Sequence, residues 1–254
     1  MAAGHAHPLF VHGHSPVHRL APEAKLAAAF AFVAVVAVTP ADRLWVFAAH
    51  AGLLVAVVVV ARLRPLFVLK RAVVVLPFIA FIVLIPFVAS GERTEILGLS
   101  VSAEGLAAAR TILIRSLIGV TVSIILAATT ELPAIMRGLN RLKVPSLLTT
   151  IAMFMLRYLE TLTAELGRMR TAMTARAYDP RWLWQAKPIA QSAGTLFIRS
   201  YERSERVHNA MLARGFTGQM PASRHPTATP REWLAALALP VAALVALLIG
   251  VVVS

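Results

Sequence analysis

The 254-residue sequence contains no cysteine. Disulfides, thiolate metal sites and cysteine nucleophiles are therefore excluded. Acidic residues are scarce: 12 Asp and Glu stand against 25 Lys and Arg, for a net charge of +13. No G-x-x-x-x-G-K-[ST] stretch occurs, so the chain cannot bind ATP through a P-loop, and any ATPase must be another polypeptide. G-x-S-x-G and H-E-x-x-H are also missing, which removes the usual signatures of a polytopic membrane enzyme; Ser116, Ser123 and His50 are the only obvious candidates within apolar segments. The first 25 residues lack the charged-then-apolar pattern of a cleavable signal peptide.

What the sequence does hold is apolar bulk. Hydrophobic residues make up 58% of the chain and the mean hydropathy is +0.74. A core of this size cannot absorb so much apolar surface, so lipid is the natural sink. A spanning helix needs about 20 mostly apolar residues. Five segments meet or approach that length: Leu26–Val38, Leu44–Ala61, Ala72–Ser90, Leu106–Thr129 and Trp233–Val253. The first is short and extends backwards through Pro22–Lys25. The expected fold is all-α and polytopic, with about five transmembrane helices and a long helical segment between the last two. Its divisions are a His-rich N-terminal segment (1–25), four spans (26–129), a basic helical region (130–231) and a closing span (232–254).

Orientation follows from the short loops, because Lys and Arg concentrate on the cytoplasmic side. Arg62, Arg64, Lys70 and Arg71 lie between spans two and three, whereas Glu92, Glu95 and Glu104 outnumber Arg93 between spans three and four. The expectation is a multi-pass protein of the cell (inner) membrane, with the N-terminus and the basic region cytoplasmic and the C-terminus external.

The basic region holds fifteen Lys or Arg and six Asp or Glu between Glu131 and Arg231, most of the chain's excess charge. Thr130-Glu131-Leu132-Pro133 predicts a helix start capped by Thr130 and running to about Leu142. Ser146 is the expected cap of a second helix reaching about Arg176. In it Leu159, Leu162, Leu166, Met169 and Met173 recur at spacings of 3, 4, 3 and 4, one stripe on one face. Arg181-Trp182-Leu183-Trp184 suits an interfacial anchor. A third helix, about Pro188 to Arg214, carries Phe197, Tyr201, His208 and Met211 on one face and Arg199, Arg203 and Arg206 on the other, with Glu202 and Arg206 paired at i, i+4. That basic face is a solvated surface or a contact for anionic lipid; with little aromatic interleaving and no recognisable binding fold, nucleic acid is not expected.

The second and third helices end alike. Arg168-x-x-x-Ala172-Met173-x-Ala175-Arg176-Ala177-Tyr178 aligns with Arg206-x-x-x-Ala210-Met211-x-Ala213-Arg214-Gly215-Phe216 at a constant offset of 38, with five of eleven positions identical. One such end is an ordinary cap with a solvated arginine. Two suggest a device: small neighbours allow close backbone approach, and the guanidinium, always charged, can reach a carboxylate bidentately. The repeat is direct, which argues against a secondary transporter built on inverted repeats.

Ala175-Arg176-Ala177 and Ala213-Arg214-Gly215 resemble the paired motifs of the transmembrane T component of energy-coupling factor (ECF) transporters. His18-Arg19-Leu20-Ala21-Pro22-Glu23-Ala24-Lys25-Leu26 is similar to that family's opening, and Thr129–Pro145 followed by Arg157 to its entry into the coupling region. The chain looks most like the cobalt-type CbiQ branch, which serves cobalt transport and cobalamin biosynthesis. The resemblance implies a non-catalytic subunit with no cofactor of its own. It implies two ATPase subunits that each receive one arginine-bearing helix end, a separate substrate-binding membrane S component, and a small accessory membrane subunit. Nickel or a vitamin is the alternative cargo. Ala175, Arg176, Ala177, Ala213, Arg214 and Gly215 would then couple to the ATPases. The stripe Leu159, Leu162, Leu166, Met169 and Met173 would face another membrane subunit or the companion helix.

Three further features invite function. His5, His7, His12, His14 and His18 could hold a transition metal, but with no acid before Glu23 and no scaffold they read as a flexible tail. His50 inside a span reads as a neutral, hydrogen-bonded packing residue. Arg110 and Arg115 are expected to face protein, with Arg110 free to snorkel outward.

Overall fold

The computed structural model describes residues 10–89, 93–96, 99–178, 182–218 and 227–252. The helices are α1 (Pro16–Arg19), α2 (Pro22–Val38), α3 (Leu44–Val60), α4 (Pro65–Ala72), α5 (Leu76–Val88), α6 (Ala103–Thr129), α7 (Leu132–Arg141), α8 (Ser146–Ala175), α9 (Lys187–Ala213) and α10 (Pro230–Val252). A short 3₁₀ turn, Val73–Val75, joins α4 to α5, so helical backbone runs from Pro65 to Val88. The all-α polytopic reading holds, with one addition. Strands Arg93–Ile96 and Leu99–Ser102 pair antiparallel as a small hairpin, Ile96 opposite Leu99, between α5 and α6. Pro65–Val88, Ala103–Thr129, Ser146–Ala175 and Pro230–Val252 are long and apolar enough to cross a membrane, and Leu44–Val60 is a shorter apolar helix.

The chain divides into two compact units, residues 1–142 with 225–254, and residues 143–224. In the first unit α2 is the hub and packs on α6, α7 and α10. Its core holds Phe32, Val36, Phe47, Leu54, Ile118, Val122, Ile125 and Ala243. Prolines set the helix starts, since Pro22, Pro65 and Pro133 occupy first-turn positions where no intrahelical donor is needed. Ser102 caps α6 by accepting from the Gly105 amide at 3.2 Å.

His50 is fully buried, hydrogen-bonded through Nε2 to the Ala243 carbonyl at 3.2 Å and flanked edge-on by Phe32 and Phe47. This is the packing role expected of it. Arg115 turns inward and donates to the Thr39 carbonyl at 2.7 Å, satisfying the end of α2 from within α6, while Arg110 is exposed.

The α2 start carries two buried charges. Lys25 Nζ donates to the His18 carbonyl (3.2 Å), the Thr129 carbonyl (2.9 Å) and Thr130 Oγ1 (3.2 Å). All three ammonium donors are used, and the charge sits against the C-terminal carbonyls of α1 and α6, where a cation is favoured. Glu23 Oε1 accepts from Arg141 Nη1 at 2.9 Å and from the Ala228 amide at 2.8 Å. Gly138 lets α7 approach here. A side chain would bring a Cβ within 2.8 Å of Leu26 and 3.1 Å of the Glu23 backbone nitrogen.

Two expected caps are corrected. Glu131, not Thr130, occupies the α7 N-cap, with no side-chain cap bond; Thr130 is drawn away to receive Lys25. Pro145 is the N-cap of α8, and Ser146 is its first helical residue. The N-terminal segment is also no loose tail from Val11 onward. The Val11 amide bonds the Ala128 carbonyl at 3.0 Å, Ser15 is buried, and His18 accepts from Ser15 Oγ at Nδ1 (2.6 Å) and donates from Nε2 to the Val11 carbonyl (3.1 Å). Burial, helped by the nearby Lys25 and His14 charges, holds the His18 imidazole below its ordinary pKa, against the pull of the Val11 carbonyl. His5 and His7 lie outside the described residues.

Candidate coupling site

The second unit consists of α8, a 3₁₀ turn at Leu183–Ala186, and α9. Met173 Sδ accepts from Ser192 Oγ at 3.6 Å, and Arg199 Nη1 donates to Glu165 Oε1 at 2.5 Å. Residue numbers rise on one helix as they fall on the other, so α8 and α9 are antiparallel where they meet. On α9 the half-buried positions are 188, 192, 196, 200, 203, 207 and 211, a seam with helical spacing. That seam corrects the expected faces. Phe197 and Tyr201 are exposed, and Arg203 lies on the seam. Arg199 is tied to α8, and Arg206 pairs with Glu202 at 3.8 Å, the expected i, i+4 contact. Trp182 is exposed, and Arg181 lies outside the described residues.

The matched sequence ends are matched structures. In α8 the Tyr178 amide bonds the Met173 carbonyl at 3.1 Å and the Ala177 amide bonds Thr174 at 2.9 Å. In α9 the Phe216 amide bonds Met211 at 3.0 Å and the Gly215 amide bonds Leu212 at 2.9 Å. Each pair of bonds forms a Schellman motif, which consumes terminal carbonyls and turns the chain through a left-handed residue. That residue is Ala177 at φ 58° in the first copy and Gly215 at φ 82° in the second. Arg176 and Arg214 are the C-caps, with nearly equal backbone angles (φ −92°, ψ 19° and φ −94°, ψ 10°).

Within each repeat the two matched arginines differ. The first is neutralised by an acid about one turn back: Arg168 by Glu165, Arg206 by Glu202. The second is free. Arg176 and Arg214 are exposed, and among the described residues neither side chain has a hydrogen-bond or ion-pair partner. Ala175, Ala177, Ala213 and Gly215 beside them are exposed too, so among the described residues the approach to either guanidinium is open. The two are far apart. Arg176 lies by the Met173–Ser192 contact, and Arg214 lies 22 residues further along α9; at 1.5 Å per residue that is about 33 Å, roughly the diameter of a small domain.

The α8 stripe divides. Leu162, Met169 and Met173 are half-buried, on the side that carries Glu165, whereas Leu159 and Leu166 are exposed. Leu148, Ile151 and Met155 extend the exposed part toward the helix start. Reading the sequence missed Glu165, which binds arginines on both helices. Its spacing to Arg168 was visible, but its link to Arg199, 34 residues away, was not. The clamp at Glu23 and Lys25 was missed for the same reason.

A family model described as "Cobalt transport protein", CbiQ, matches residues 13–225. The chain belongs to that family. The matched span includes the clamp at the start of α2, all of α7 to α9 and both arginine ends. Among similar proteins, the cobalt transport protein CbiQ of Rhodobacter capsulatus is 31% identical over 52% of this chain and 55% of its own length. The energy-coupling factor transporter transmembrane protein EcfT of Listeria innocua is 26% identical over 82% of this chain and 83% of its own. An uncharacterized protein of Methanocaldococcus jannaschii is 27% identical over 60% and 55%. The matches thus span about half the length of the Rhodobacter and Methanocaldococcus proteins and most of the Listeria one. With its apolar helices, this CbiQ-family chain is a multi-pass membrane protein.

Proposed function

We propose that this chain is the coupling subunit of an ECF-type importer, passing conformational changes from two ATPase subunits to a separate substrate-binding membrane subunit, with cobalt as cargo. The observation that carries the reading is the pair of matched helix ends, each presenting, among the described residues, an unpaired arginine beside small residues. A free guanidinium at a helix C-cap suits a carboxylate in a partner's groove. Two such plugs about 33 Å apart suit two partner subunits better than one groove. Ala175, Arg176 and Ala177 would enter one ATPase, and Ala213, Arg214 and Gly215 the other.

The exposed apolar residues of α8, Leu159 and Leu166 among them, would meet the substrate-binding subunit, while Leu162, Met169 and Met173 brace the companion helix. A small accessory membrane subunit would complete the assembly. In this reading residues 130–231 face the cytoplasm, with the N-terminus on the same side and the C-terminus outside. The length and hydropathy of α8 alone would also permit a membrane crossing. The charges from Arg157 onward, Arg157, Glu160, Glu165, Arg168 and Arg170, favour the aqueous side.

The test is co-expression with the cognate ATPases and substrate-binding subunit, changing Arg176→Glu and Arg214→Glu together. Removing one partner of a buried ion pair costs about 3–5 kcal/mol, so ATPase co-purification and labelled-cobalt uptake should both be lost while the chain still reaches the membrane. Assembly and uptake at wild-type levels would sink the proposal. Uptake of nickel in place of cobalt would reassign the cargo and leave the coupling role intact.

A further inference from the structure

The first unit contains a cavity of about 460 Å³ that the coupling role does not use. It lies between α2, α3, α6 and α10 and under α1, and is lined by Leu53, Ala56 and Val60 of α3 and Ala235, Ala238 and Ala242 of α10, among others. Its origin is legible in the packing. α3 and α10 are pinned together at His50 and Ala243, and Gly250 lies against Val46. Beyond His50, toward the α3 C-terminus, alanines on both helices leave the space open. Ala56, Val60, Ala235 and Ala238 are exposed and form its lateral mouth.

The lining is apolar throughout. Its polar members are already engaged: Lys25 with three oxygens, and Thr129 Oγ1 with the Ile125 carbonyl at 2.8 Å. No free donor or acceptor remains for a metal ion or a polar solute. A whole helix does not fit either, because packed helices need axes 8–10 Å apart and α3 and α10 already touch at His50–Ala243.

The rim has the opposite character. Arg19 follows the lining residue Val17 by two positions, and Arg62 follows Val60 by two. Both are exposed, and among the described residues neither side chain has a partner. Arg64 lies in the same loop. Of the nearby carboxylates, Glu23 is buried and already paired with Arg141, and Glu232 accepts from the Thr229 amide and hydroxyl at 2.7 and 2.8 Å.

We infer that this cavity holds one acyl chain of an anionic phospholipid, drawn from the leaflet at the N-terminal end of α2, with the headgroup phosphate over Arg19 and Arg62. Apolar volume opening sideways into lipid takes the chain, each buried methylene adding to affinity. The cationic rim selects the headgroup, in the way that basic residues beside spans select acidic lipid.

The test uses the full chain, purified in mild detergent, with bound lipid extracted and weighed by mass spectrometry. The protein is then stripped and re-exposed to mixed micelles of phosphatidylglycerol or phosphatidylcholine. The wild type should retain about one phosphatidylglycerol per chain. Ala56→Phe with Ala238→Phe fills the mouth and should cut retention about tenfold, against an unchanged gel-filtration profile. Arg19→Gln with Arg62→Gln leaves the cavity intact and should lower the preference for phosphatidylglycerol at least about fivefold. Full lipid retention by the folded, filled variant would overturn the inference, and so would equal retention of the two lipids by the wild type. Both readouts are independent of ATPase binding, so failure here leaves the coupling proposal standing.

Discussion

The two units of this chain spend their charges differently. In the first, charge goes inside: Lys25 and Glu23 are buried, and each is answered by groups from other elements, some more than a hundred residues away in sequence. In the second, charge stays outside, in the local pairs Glu165–Arg168 and Glu202–Arg206 and the Glu165–Arg199 bridge, and one arginine per helix end is left uncommitted. Burial follows the same division. Phe32, Val46, His50 and Ala243 are sealed in the first unit, whereas α9 buries no residue and α8 only Thr149. The lesson is that the first unit derives its order from long-range contacts. The α8–α9 unit combines hydrogen bonds inside each helix end with the Glu165–Arg199 bridge and leaves apolar and cationic surface exposed.

The sharpest way to break this contrast is to remove the carboxylate of the first unit. Glu23→Ala removes the carboxylate that accepts from both Arg141 and the Ala228 amide and should destabilise the chain by about 3 kcal/mol. Melting of the purified protein in detergent measures it. A change under about 0.5 kcal/mol, the range of ordinary surface substitutions, would show that the first unit does not depend on this clamp. A smaller effect tests whether the two helix ends are equivalent. Ala177 accepts a left-handed backbone that glycine adopts without strain. Ala177→Gly should therefore stabilise the α8 end and Gly215→Ala destabilise the α9 end, each by about 1 kcal/mol. Amide exchange at Tyr178 and Phe216 would read the two caps separately, and effects of the same sign would show that they differ.

The smallest expected effect is pH dependence from His18. Its folded pKa lies below the ordinary 6.5, so the neutral ring is the stabilised form. That contribution is complete above the unfolded value and is lost as pH falls below it, because the unfolded chain then binds the proton more readily. Thermal stability should thus decline on acidification through the imidazole range, and His18→Gln should flatten the decline. An unchanged slope would remove His18 from the list of groups that fasten the N-terminal segment.

What could be read from sequence follows the same division. The Schellman ends span only six residues each, so the Arg-Ala-Met-Ala-Arg match at offset 38 was enough to find them, and Tyr178 and Phe216 fall at equivalent positions. Helix positions were legible from apolar runs and from Pro22 and Pro133. The caps were not. Thr130 has the right chemistry for α7, yet Lys25 claims its hydroxyl from 105 residues away, and nothing local announces that competition. Arg199 read as a solvated charge because its acceptor, Glu165, sits on another helix. The family assignment was legible because the matched segments run through most of the chain. The free state of Arg176 and Arg214 was not, since it is a property of what surrounds them.

The α8–α9 contact also has a mechanical meaning. Its recorded polar contacts, Glu165 with Arg199 and Met173 with Ser192, lie well away from the far end of α9. Half-buried positions 203, 207 and 211 continue the seam toward that end, but among the described residues no hydrogen bond or ion pair crosses to α8 beyond Arg199, which makes the Glu165 level a natural fulcrum. Arg214 lies 15 residues beyond Arg199, about 22 Å along the helix axis, so tilting α9 by about 10° about that level would move it through about 4 Å. A slight tilt at the fulcrum would thereby become a stroke of more than half a helical turn at Arg214.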